Sequence, residues 1–539
     1  MRFLIGVDIG TQGSKGALVT ETGQVVTSAS VEANVNVPQP GWAEHEPDSA
    51  WWGNFVEVVR QLIYKSQVDP RDIAAVNVSA LMPVLAPVDE TGVALRAALL
   101  YADMRAHEEL AHMNHDLAAS SARDFTGQFS AQLTMQDLGP KIYWFQRNEP
   151  ERWQRTRYLM GAQGFINAKL TGRYAVDRNT AIGYRPFFDP ATGHYDPVLC
   201  ARYDVPMDML PELVELTDVV GEVTPAAAVA TGLAIGTPVV AGVIDFFAEM
   251  ISTGADTPGD IVVTYGTTMC IAGLADAPVG AVPGLGHMLG DDKSLAGLYT
   301  GLYSVGGGMV TSAALSRWFR DKFGDVERRV EQELGISAYG LLGLEADAVP
   351  PGSNGLIVLP YFSGERSPIH DDLARGMIFG LTLAHDRPHI YRALLEGVAY
   401  GVEHHFELMR QSGMNLDRIV ATGGGSRSHL WTQIISDVTG VPQVVVAPSN
   451  AALGAAFLAG KAIGVFSELS DVRLWAKPER EVIPRENVHD VYQEYYRIYR
   501  RLYEQTKDEM HDLARLTAAA AKSSIRPLGA ELTVRELTA

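Results

Sequence analysis

One carboxylate, Asp8, lies near the end of an apolar run over residues 3–9, directly before a glycine-rich segment. The run predicts a buried strand, and residues 10–13 predict a tight turn into a second apolar strand. Glycines let backbone N–H groups approach an anion closely, and the hydroxyl of Thr11 can add a donor. Asp8 could then orient a phosphate-bound Mg²⁺ through water. Taken alone, the pattern equally fits a hairpin turn beside a solvated carboxylate.

The same pattern occurs a second time, half a chain later. Residues 260–273 again combine an apolar strand, a Gly-Thr turn at Gly266 and Thr267, and another apolar strand. A single turn of this kind is an ordinary hairpin. Two of them indicate a duplicated fold in which two phosphate-binding hairpins face each other across a cleft.

A second carboxylate, Asp245, ends the predicted buried strand over residues 239–244 and precedes Phe246 and Phe247. A carboxylate among apolar side chains is costly unless it is paired or functional. Burial also raises the pKa of a carboxyl group, which suits a general base. The structural alternative is that Asp245 caps the helix that begins here.

Asp103 and Arg105 follow another predicted strand. Ligands collect at strand ends in α/β sheets, so this pair predicts a ligand site, whereas a surface ion pair is the ordinary alternative. Residues 106–225 predict a mostly helical insertion that builds one wall of a pocket. The loop over residues 38–47 carries an aromatic side chain, Trp42, and two carboxylates.

Glycine-rich segments continue in the second half. Residues 418–422 predict a strand that runs into three glycines and then a helix over residues 429–439. Backbone without side chains at a helix N-terminus suits a phosphate or a flat purine. Residues 451–460 predict a helix of small residues that another element can approach closely, and the glycines at 306–308 predict a flexible segment.

Length and composition limit the class of protein. The 539 residues are too many for one core and fit two large domains. A net charge of −20 disfavours nucleic acid and anionic membranes as main partners, because both reward clustered Lys and Arg. Two cysteines fit a reducing compartment. The uncharged residues 226–244 approach the length of a membrane span, but their glycines and proline predict a helix, a turn and a strand. No secretory signal is visible, so we expect a soluble, cytoplasmic protein.

In order and spacing, these segments resemble the FGGY family of carbohydrate kinases, within the actin-like ATPase superfamily, over about residues 3–505. The motifs are Asp-Ile-Gly-Thr-Gln-Gly at 8–13, Asp-Met-Arg at 103–105, Leu-Thr-Gly at 170–172, Ala-Gly-Val-Ile-Asp at 241–245, Tyr-Gly-Thr-Thr at 265–268, Gly-Glu-Arg-Ser-Pro at 364–368, Leu-Glu-Gly-Val at 395–398, Gly-Gly-Gly-Ser-Arg at 423–427 and Ala-Leu-Gly-Ala-Ala at 452–456. The resemblance implies an α/β fold with two actin-like (ribonuclease-H-like) domains. Each would be a five-stranded mixed sheet flanked by helices, with a cleft between the domains for ATP, Mg²⁺ and the sugar.

The resemblance also implies roles for particular residues. Asp8 would order Mg²⁺, and Asp245 would contact the sugar and take the proton from its attacking hydroxyl. The predicted ATP-binding residues are Thr11, Gln12, Gly266, Thr267, Gly424, Gly425 and Ser426. The other predicted sugar-binding residues are Met82, Asp103, Arg105 and Trp42.

The most similar branch resembles the xylulokinases, which phosphorylate a ketopentose at its terminal hydroxyl. We therefore expect an ATP-dependent kinase for D-xylulose, with ribulose, erythritol or xylitol as alternative acceptors. Xylulokinases typically carry Gln-Met-His where this chain has Leu81, Met82 and Pro83, and a small or polar residue where it has Phe246. The acidic residue that often precedes the Ala-Leu-Gly-Ala-Ala helix is absent. The first two departures concern the choice of sugar, and none of the three removes the phosphotransfer residues.

A second class of function stays open from the sequence: an actin- or chaperone-like ATPase whose closure on nucleotide serves a protein partner. Asp245, the Asp103/Arg105 pair and the insertion favour the kinase. We expect an N-terminal, sugar-binding domain over residues 1–244, a C-terminal, nucleotide-binding domain over 245–516 and a tail over 517–539. A sugar and ATP are the expected partners, without nucleic acid or membrane, and a homodimer is compatible with the sequence.

Overall fold

Two seven-stranded sheets, one in each half of the chain, organise the computed structural model. The structure describes residues 2–119, 132–190, 192–277, 279, 282, 284–289 and 302–522. The strands of the first half are β1 (Phe3–Gly10), β2 (Gly13–Thr20), β3 (Val25–Glu32), β4 (Glu44–His45), β5 (Ile73–Ala80), β6 (Ala86–Val88), β7 (Ala98–Leu99), β8 (Tyr158–Met160), β9 (Ala175–Asp177), β10 (Phe188–Asp189), β11 (His194–Tyr195), β12 (Glu212–Val214), β13 (Val219–Glu222), β14 (Pro238–Val240) and β15 (Val243–Ile244). The strands of the second half are β16 (Asp260–Tyr265), β17 (Met269–Ala275), β18 (Gly286–Leu289), β19 (Tyr303–Met309), β20 (Ile357–Leu359), β21 (Met377–Phe379), β22 (Arg418–Thr422), β23 (Gln443–Val446) and β24 (Pro478–Val482).

Helices cover these sheets. They are α1 (Asn54–Ser66), α2 (His107–Ala119), α3 (Leu138–Asn148), α4 (Pro150–Arg155), α5 (Ala162–Thr171), α6 (Arg178–Ala181), α7 (Pro197–Arg202), α8 (Pro225–Thr231), α9 (Asp245–Ser252), α10 (Ala313–Phe323), α11 (Asp325–Leu334), α12 (Ala338–Asp347), α13 (Arg387–Gln411), α14 (His429–Thr439), α15 (Ala451–Ala462) and α16 (Glu486–Lys522). No helix among the described residues is long and apolar enough to cross a membrane.

The two sheets repeat one strand order. Five strands run β3-β2-β1-β5-β14 in the first sheet and β19-β17-β16-β22-β23 in the second. In both, the first three strands form an antiparallel meander, and the fourth and fifth pair in parallel with their inner neighbours. The predicted duplication is therefore confirmed. The expectation of five-stranded sheets is right only for this core, because β13 and β15 enlarge the first sheet and β18 and β24 enlarge the second.

Two helices, α9 and α15, lie between the sheets. Their apolar side chains share one buried cluster with residues of β1, β2, β16 and β22. Small residues make this contact possible: a Cβ on Gly6 of β1 would lie 1.9 Å from the carbonyl oxygen of Ala452, and a Cβ on Gly454 would lie 1.8 Å from that of Ala248. The Asn77 side chain also donates a hydrogen bond to the Ala455 carbonyl at 3.2 Å. The predicted close approach to the helix of small residues is confirmed, and α15 makes this contact with both β1 and α9.

Three local expectations need correction. The glycines 306–308 are not a flexible segment, because they lie inside β19 and pair with β17. The insertion over 106–225 is only partly helical, since two- to four-residue strands alternate with its short helices; its residues 120–131 lie outside the described residues. Helix α16 continues to Lys522, past the predicted tail boundary at 516, and residues 523–539 also lie outside the described part.

Candidate active site

The first glycine-rich hairpin joins β1 to β2, which pair as far as Gly10 and Gly13. Thr11 and Gln12 form its tip. A residue that the sequence did not single out holds this tip: the His45 ring Nε2 contacts the Thr11 carbonyl at 3.1 Å, while Trp51 Nε1 donates to His45 Nδ1 at 3.1 Å. Because indole N–H can only donate, the His45 proton must lie on Nε2, which donates to Thr11. Burial lowers the pKa of His45 and keeps it in this neutral form.

The second hairpin joins β16 to β17, with Gly266 and Thr267 at its tip. Its carbonyl groups accept hydrogen bonds from backbone N–H groups at the start of helix α10. Ala313 N–H donates to the Gly266 carbonyl at 3.0 Å, and Ser312 N–H donates to the Thr267 carbonyl at 3.1 Å. These bonds fix the carbonyls of the hairpin toward α10, so the tip has a defined conformation before any ligand arrives.

The two hairpins face each other, as the duplicated pattern predicts. Arg317 on α10 reaches from the second half of the chain to the first hairpin and donates to Gln12 Oε1 at 3.4 Å. This hydrogen bond joins the two halves of the chain beside the hairpins. Helix α9 packs with β1 and β22 in one apolar cluster, and we call the region between the hairpins the cleft, with α9 and the ends of β1 and β22 as its floor.

Asp8 lies at this floor. Its Oδ1 accepts a hydrogen bond from the Ser79 hydroxyl at 3.0 Å, and no described residue donates to its Oδ2. Burial raises the pKa of Asp8, against the opposing effects of Ser79 and Lys15. A carboxylate oxygen without a protein partner suits contact with a hydrated cation.

Asp245 is the first residue of α9. Among the described residues, only the adjacent Phe246 N–H donates to its Oδ1, at 2.7 Å, and no side chain caps the helix. The capping alternative is therefore wrong, because a cap would bond the N–H groups further into the helix. Burial is the largest cause that raises the pKa of Asp245, and the nearby negative charges of Asp8 and Glu249 raise it further.

Glu249, one helical turn after Asp245, is an acidic residue of the cleft that sequence reasoning missed. Burial, and after it the negative charge of Asp8, raise its pKa to about 7, while Lys15 and the Thr422 hydroxyl oppose the rise. A surface charge on an exposed helix face has the same sequence pattern, so only the packing of α9 identifies it.

These three carboxylates fit a site for Mg²⁺ held mainly through water. Hard carboxylate oxygens are the ligands that Mg²⁺ prefers, and a cation would relieve their mutual repulsion. Within the described residues, no group of three or more His, Cys, Asp or Glu side chains is arranged to ligate a metal directly.

The three glycines at 423–425 form the other predicted nucleotide surface. Gly423 has a φ of 88°, and a Cβ there would lie 3.0 Å from the Tyr265 backbone, so only glycine fits. Open space surrounds the Cβ position of Gly424. The Ser426 hydroxyl turns back to the Gly423 carbonyl at 2.7 Å. The result is a flat backbone surface directly before α14.

Asp103 and Arg105 do form an ion pair, but the pair is buried, so the expected alternative of a surface ion pair is wrong. Arg105 Nε and a terminal nitrogen donate to the two Asp103 oxygens at 2.8 and 2.7 Å, and Ala43 N–H donates to Asp103 at 2.7 Å. Arg105 also donates to Glu44 at 2.6 Å and lies 3.5 Å from the centre of the Trp42 ring. These bonds use both oxygens of Asp103. The three predicted residues Trp42, Asp103 and Arg105 are thus brought together as one wall, and their contact with sugar stays a prediction.

Met82 begins a second wall. Its peptide bond to Pro83 is cis, and both side chains contact the Cβ position of Gly183. Met82 and Phe246 pack on the same apolar cluster between the sheets. This arrangement makes the surface beside Asp245 partly apolar.

Sequence reasoning also missed the short helix α6, which directly precedes the segment with Gly183 that contacts Met82 and Pro83. The Asp177 carboxylate accepts from the N–H groups of Asn179 and Thr180 at 3.1 Å and starts helix α6. The Thr180 hydroxyl in turn accepts from the buried Gln163 side chain at 2.7 Å. An aspartate that starts a four-residue helix gives only a weak sequence signal.

A separate cavity of about 630 Å³ lies at the far end of the second sheet. Thr253, Asp260, Arg418, Val444 and Arg473 are among its lining residues. None of the predicted site residues lines it, so its volume gives no information about the chemistry at the hairpins.

Comparison with known proteins agrees with this geometry. The N-terminal domain model of the FGGY family of carbohydrate kinases matches residues 3–251, and the C-terminal domain model matches residues 261–463. A xylulose kinase of Bacillus subtilis (strain 168) is 26% identical over 515 residues, which cover 94% of this chain and 98% of the relative. A gluconokinase of the same organism is 29% identical over 488 residues, covering 87% and 90%. The crystal structure of xylulose kinase from Rhodospirillum rubrum superposes with a TM-score of 0.80 at 30% identity and covers 95% of this chain and all (100%) of that one.

Proposed function

We propose that this chain, which belongs to the FGGY family of carbohydrate kinases, transfers the γ-phosphate of Mg²⁺–ATP to a terminal hydroxyl of a small neutral ketose, with D-xylulose first. One observation carries the proposal: a half-buried carboxylate, Asp245, stands on the cleft floor between two phosphate-type hairpins. D-Ribulose, erythritol and xylitol are the alternative acceptors.

Membership in this family decides between the two classes left open by the sequence. A carbohydrate kinase must deliver a hydroxyl group to the γ-phosphate, whereas an ATPase that serves a protein partner needs only water there. The family models cover both halves of the chain, so the kinase class applies to the whole cleft.

In the proposed reaction, Asp245 accepts the proton of the acceptor hydroxyl. The oxygen–phosphorus bond to the sugar forms as the bond between the β,γ-bridging oxygen and the γ-phosphorus breaks, and ADP leaves. A base works best when its pKa lies near the working pH, which agrees with the raised pKa of Asp245. Bound Mg²⁺ supplies neutralisation of phosphate charge, and Asp8 would hold it through water. Backbone N–H groups at Thr11 and Thr267 would position the phosphate oxygens.

The charges of the cleft support a neutral acceptor over an acid such as gluconate. Asp8, Asp245 and Glu249 share the floor, so a substrate carboxylate would add a fourth negative charge. The cation of the sugar wall, Arg105, has a side chain only 1% exposed and is bound by Asp103 and Glu44. Two carboxylates therefore already offset its charge, although its second terminal nitrogen has no hydrogen-bond partner among the described residues.

The surface formed by Met82, Pro83 and Phe246 also supports a small substrate, because one side of the sugar site offers few hydrogen-bonding groups. Pro83 has no N–H donor, and the Phe246 ring offers no hydrogen bond to a sugar hydroxyl. In this proposal, Asp245 and polar groups outside the Met82, Pro83 and Phe246 surface recognise the sugar hydroxyls. An open-chain ketopentose or a four- or five-carbon polyol fits this division better than a hexose ring.

The test is ADP release with a panel of acceptors: D-xylulose, D-ribulose, erythritol, xylitol, gluconate, glycerol and a hexose. We expect the highest kcat/KM with a ketopentose or with one of the two polyols of four or five carbons. Release with Asp245→Asn protein serves as the control for background hydrolysis. Turnover only with gluconate, a hexose or glycerol would overturn the assignment. The homodimer, the cytoplasmic location and the domain boundaries stay predictions.

A further inference from the structure

One arginine next to the second hairpin has no side-chain partner among the described residues. Arg366 lies between β20 and β21, and its guanidinium makes no hydrogen bond or ion pair with any described residue. Its Nε is buried and unsatisfied. Its guanidinium lies against β19, since a Cβ on Gly308 would be only 3.1 Å from one of its terminal nitrogens.

The residues on both sides of Arg366 form hydrogen bonds with β19 and with the residue that follows it. Glu365 accepts hydrogen bonds from Val310 N–H at 2.7 Å and from the Arg366 N–H at 2.8 Å. The Ser367 hydroxyl accepts from Gly308 N–H at 2.5 Å and contacts the buried His405 Nε2 at 3.1 Å. The backbone that carries the Arg366 side chain is therefore ordered before a ligand binds, which lowers the cost of ordering it on binding.

Arg366 also lies near the reacting groups. Gly308 pairs across the sheet with Cys270, three residues after Thr267. Burial raises the pKa of the Cys270 thiol to about 11; the Arg366 charge opposes this rise, and the charges of Asp245 and Glu249 add to it. The guanidinium and the cleft carboxylates therefore lie close enough to the same thiol to shift its pKa.

An arginine that is partly withdrawn from water without a partner is costly, because buried charges are normally paired. Its planar fork of donors matches the oxygens of a phosphate group. We propose that Arg366 binds the γ-phosphoryl oxygens of ATP and is a further catalytic residue of the transfer, an inference that rests on the proposed kinase function. It neither gives nor takes a proton; it balances negative charge while the phosphoryl group passes to the acceptor oxygen.

The experiment compares nucleotide binding by calorimetry in the presence of Mg²⁺ and without sugar. The ligands are ADP and a β,γ-imido ATP analogue, and the variants are Arg366→Met and Arg366→Lys. Arg375→Met is the matched control, because Arg375 belongs to the same segment and donates only to the carbonyls of Asp372 and Ala374. Thermal midpoints are measured for each protein to test folding.

We expect Arg366→Met to weaken the ATP analogue about tenfold or more and to change ADP affinity by less than about twofold. Its kcat should fall by about two decades or more, with Arg366→Lys between it and wild type and Arg375→Met unchanged. Equal losses for both nucleotides, or no loss for the analogue, would overturn the inference. If Arg366→Met fails to fold, the same comparison with Arg366→Lys decides.

The binding arm uses no sugar, so its outcome is independent of the acceptor assignment. A wild-type protein that binds no Mg²⁺–nucleotide would contradict the proposed kinase function itself. If wild type is a kinase but the Arg366 variants change ADP and analogue affinity equally, only the role of Arg366 is contradicted.

Discussion

Replacing Asp245 by asparagine separates catalysis from folding. Asparagine keeps the shape of the side chain and an oxygen for the Phe246 N–H, but it cannot accept the proton of the acceptor hydroxyl. General-base catalysis contributes about 10²–10⁴-fold, or on the order of 3–5 kcal/mol of barrier. We therefore expect kcat to fall by at least about two decades while Mg²⁺–ATP still binds.

The same substitution should not destabilise the fold. Burial and the neighbouring negative charges raise the pKa of Asp245 above its ordinary value of 3.8. A carboxyl group whose pKa is higher in the folded than in the unfolded state favours folding below the unfolded pKa. This contribution is lost as the pH rises through the folded pKa. Each pKa unit corresponds to about 1.4 kcal/mol. Asp245→Asn lacks this dependence, so its free energy of unfolding should exceed that of wild type by about 1.4 kcal/mol or more near pH 8 and should match it near pH 4.

Steady-state kinetics and urea unfolding at the two pH values measure both effects on the same preparations. A large loss of kcat together with higher stability near pH 8 is the expected result. A variant that turns over within about tenfold of wild type would remove Asp245 from the mechanism. A variant that loses stability at pH 8 would instead mean that the carboxylate is a structural partner.

Three further changes test other parts of the site and fold. Glu249→Gln removes a charge that raises the pKa of Asp245, so the acid limb of the kcat/KM–pH profile should move to lower pH; an unchanged limb or a move to higher pH would contradict the shared floor. His45→Phe removes the N–H donor to the Thr11 carbonyl and should raise KM for ATP about fivefold or more, with KM for the sugar within about twofold. His45→Gln, which retains a donor, should restore most of the loss, and equal effects on both substrates would point to general misfolding. Gly454→Ala places a Cβ 1.8 Å from the Ala248 carbonyl and should cost about 1–3 kcal/mol of unfolding free energy. The control Gly343→Ala, with open space around its Cβ position, should leave stability unchanged or raise it; equal losses would show that the contact between α9 and α15 is not tight.

The parts of the site that could be predicted from sequence are those in which chemistry and local pattern coincide. A Gly-Thr turn between two apolar strands specifies a hairpin by itself, and its repetition specified the duplicated sheets. Asp245 was recognisable because a carboxylate at the end of an apolar run has few purely structural uses. The helix of small residues predicted close approach, which Gly454 now shows at the α9 contact.

The parts that were missed depend on what packs nearby. Glu249 has the local pattern of a solvated helix residue, and only its position beside β1 brings it to the cleft. The glycines in β19 suggested flexibility by composition, yet Gly307 is needed because a Cβ there would lie 2.1 Å from the Ser367 hydroxyl. The missing partner of Arg366 is likewise a property of three-dimensional surroundings that no local spacing encodes.

The most direct test of the central claim is a ³¹P NMR time course with the enzyme, Mg²⁺–ATP and D-xylulose. We predict that the γ-phosphate signal is lost as a phosphomonoester signal and an ADP signal grow in equal amounts. The Asp245→Asn protein should form the ester at least about two decades more slowly. Growth of inorganic phosphate in place of the ester, or an ester that forms with gluconate or glycerol but not with any ketopentose or small polyol, would contradict the account.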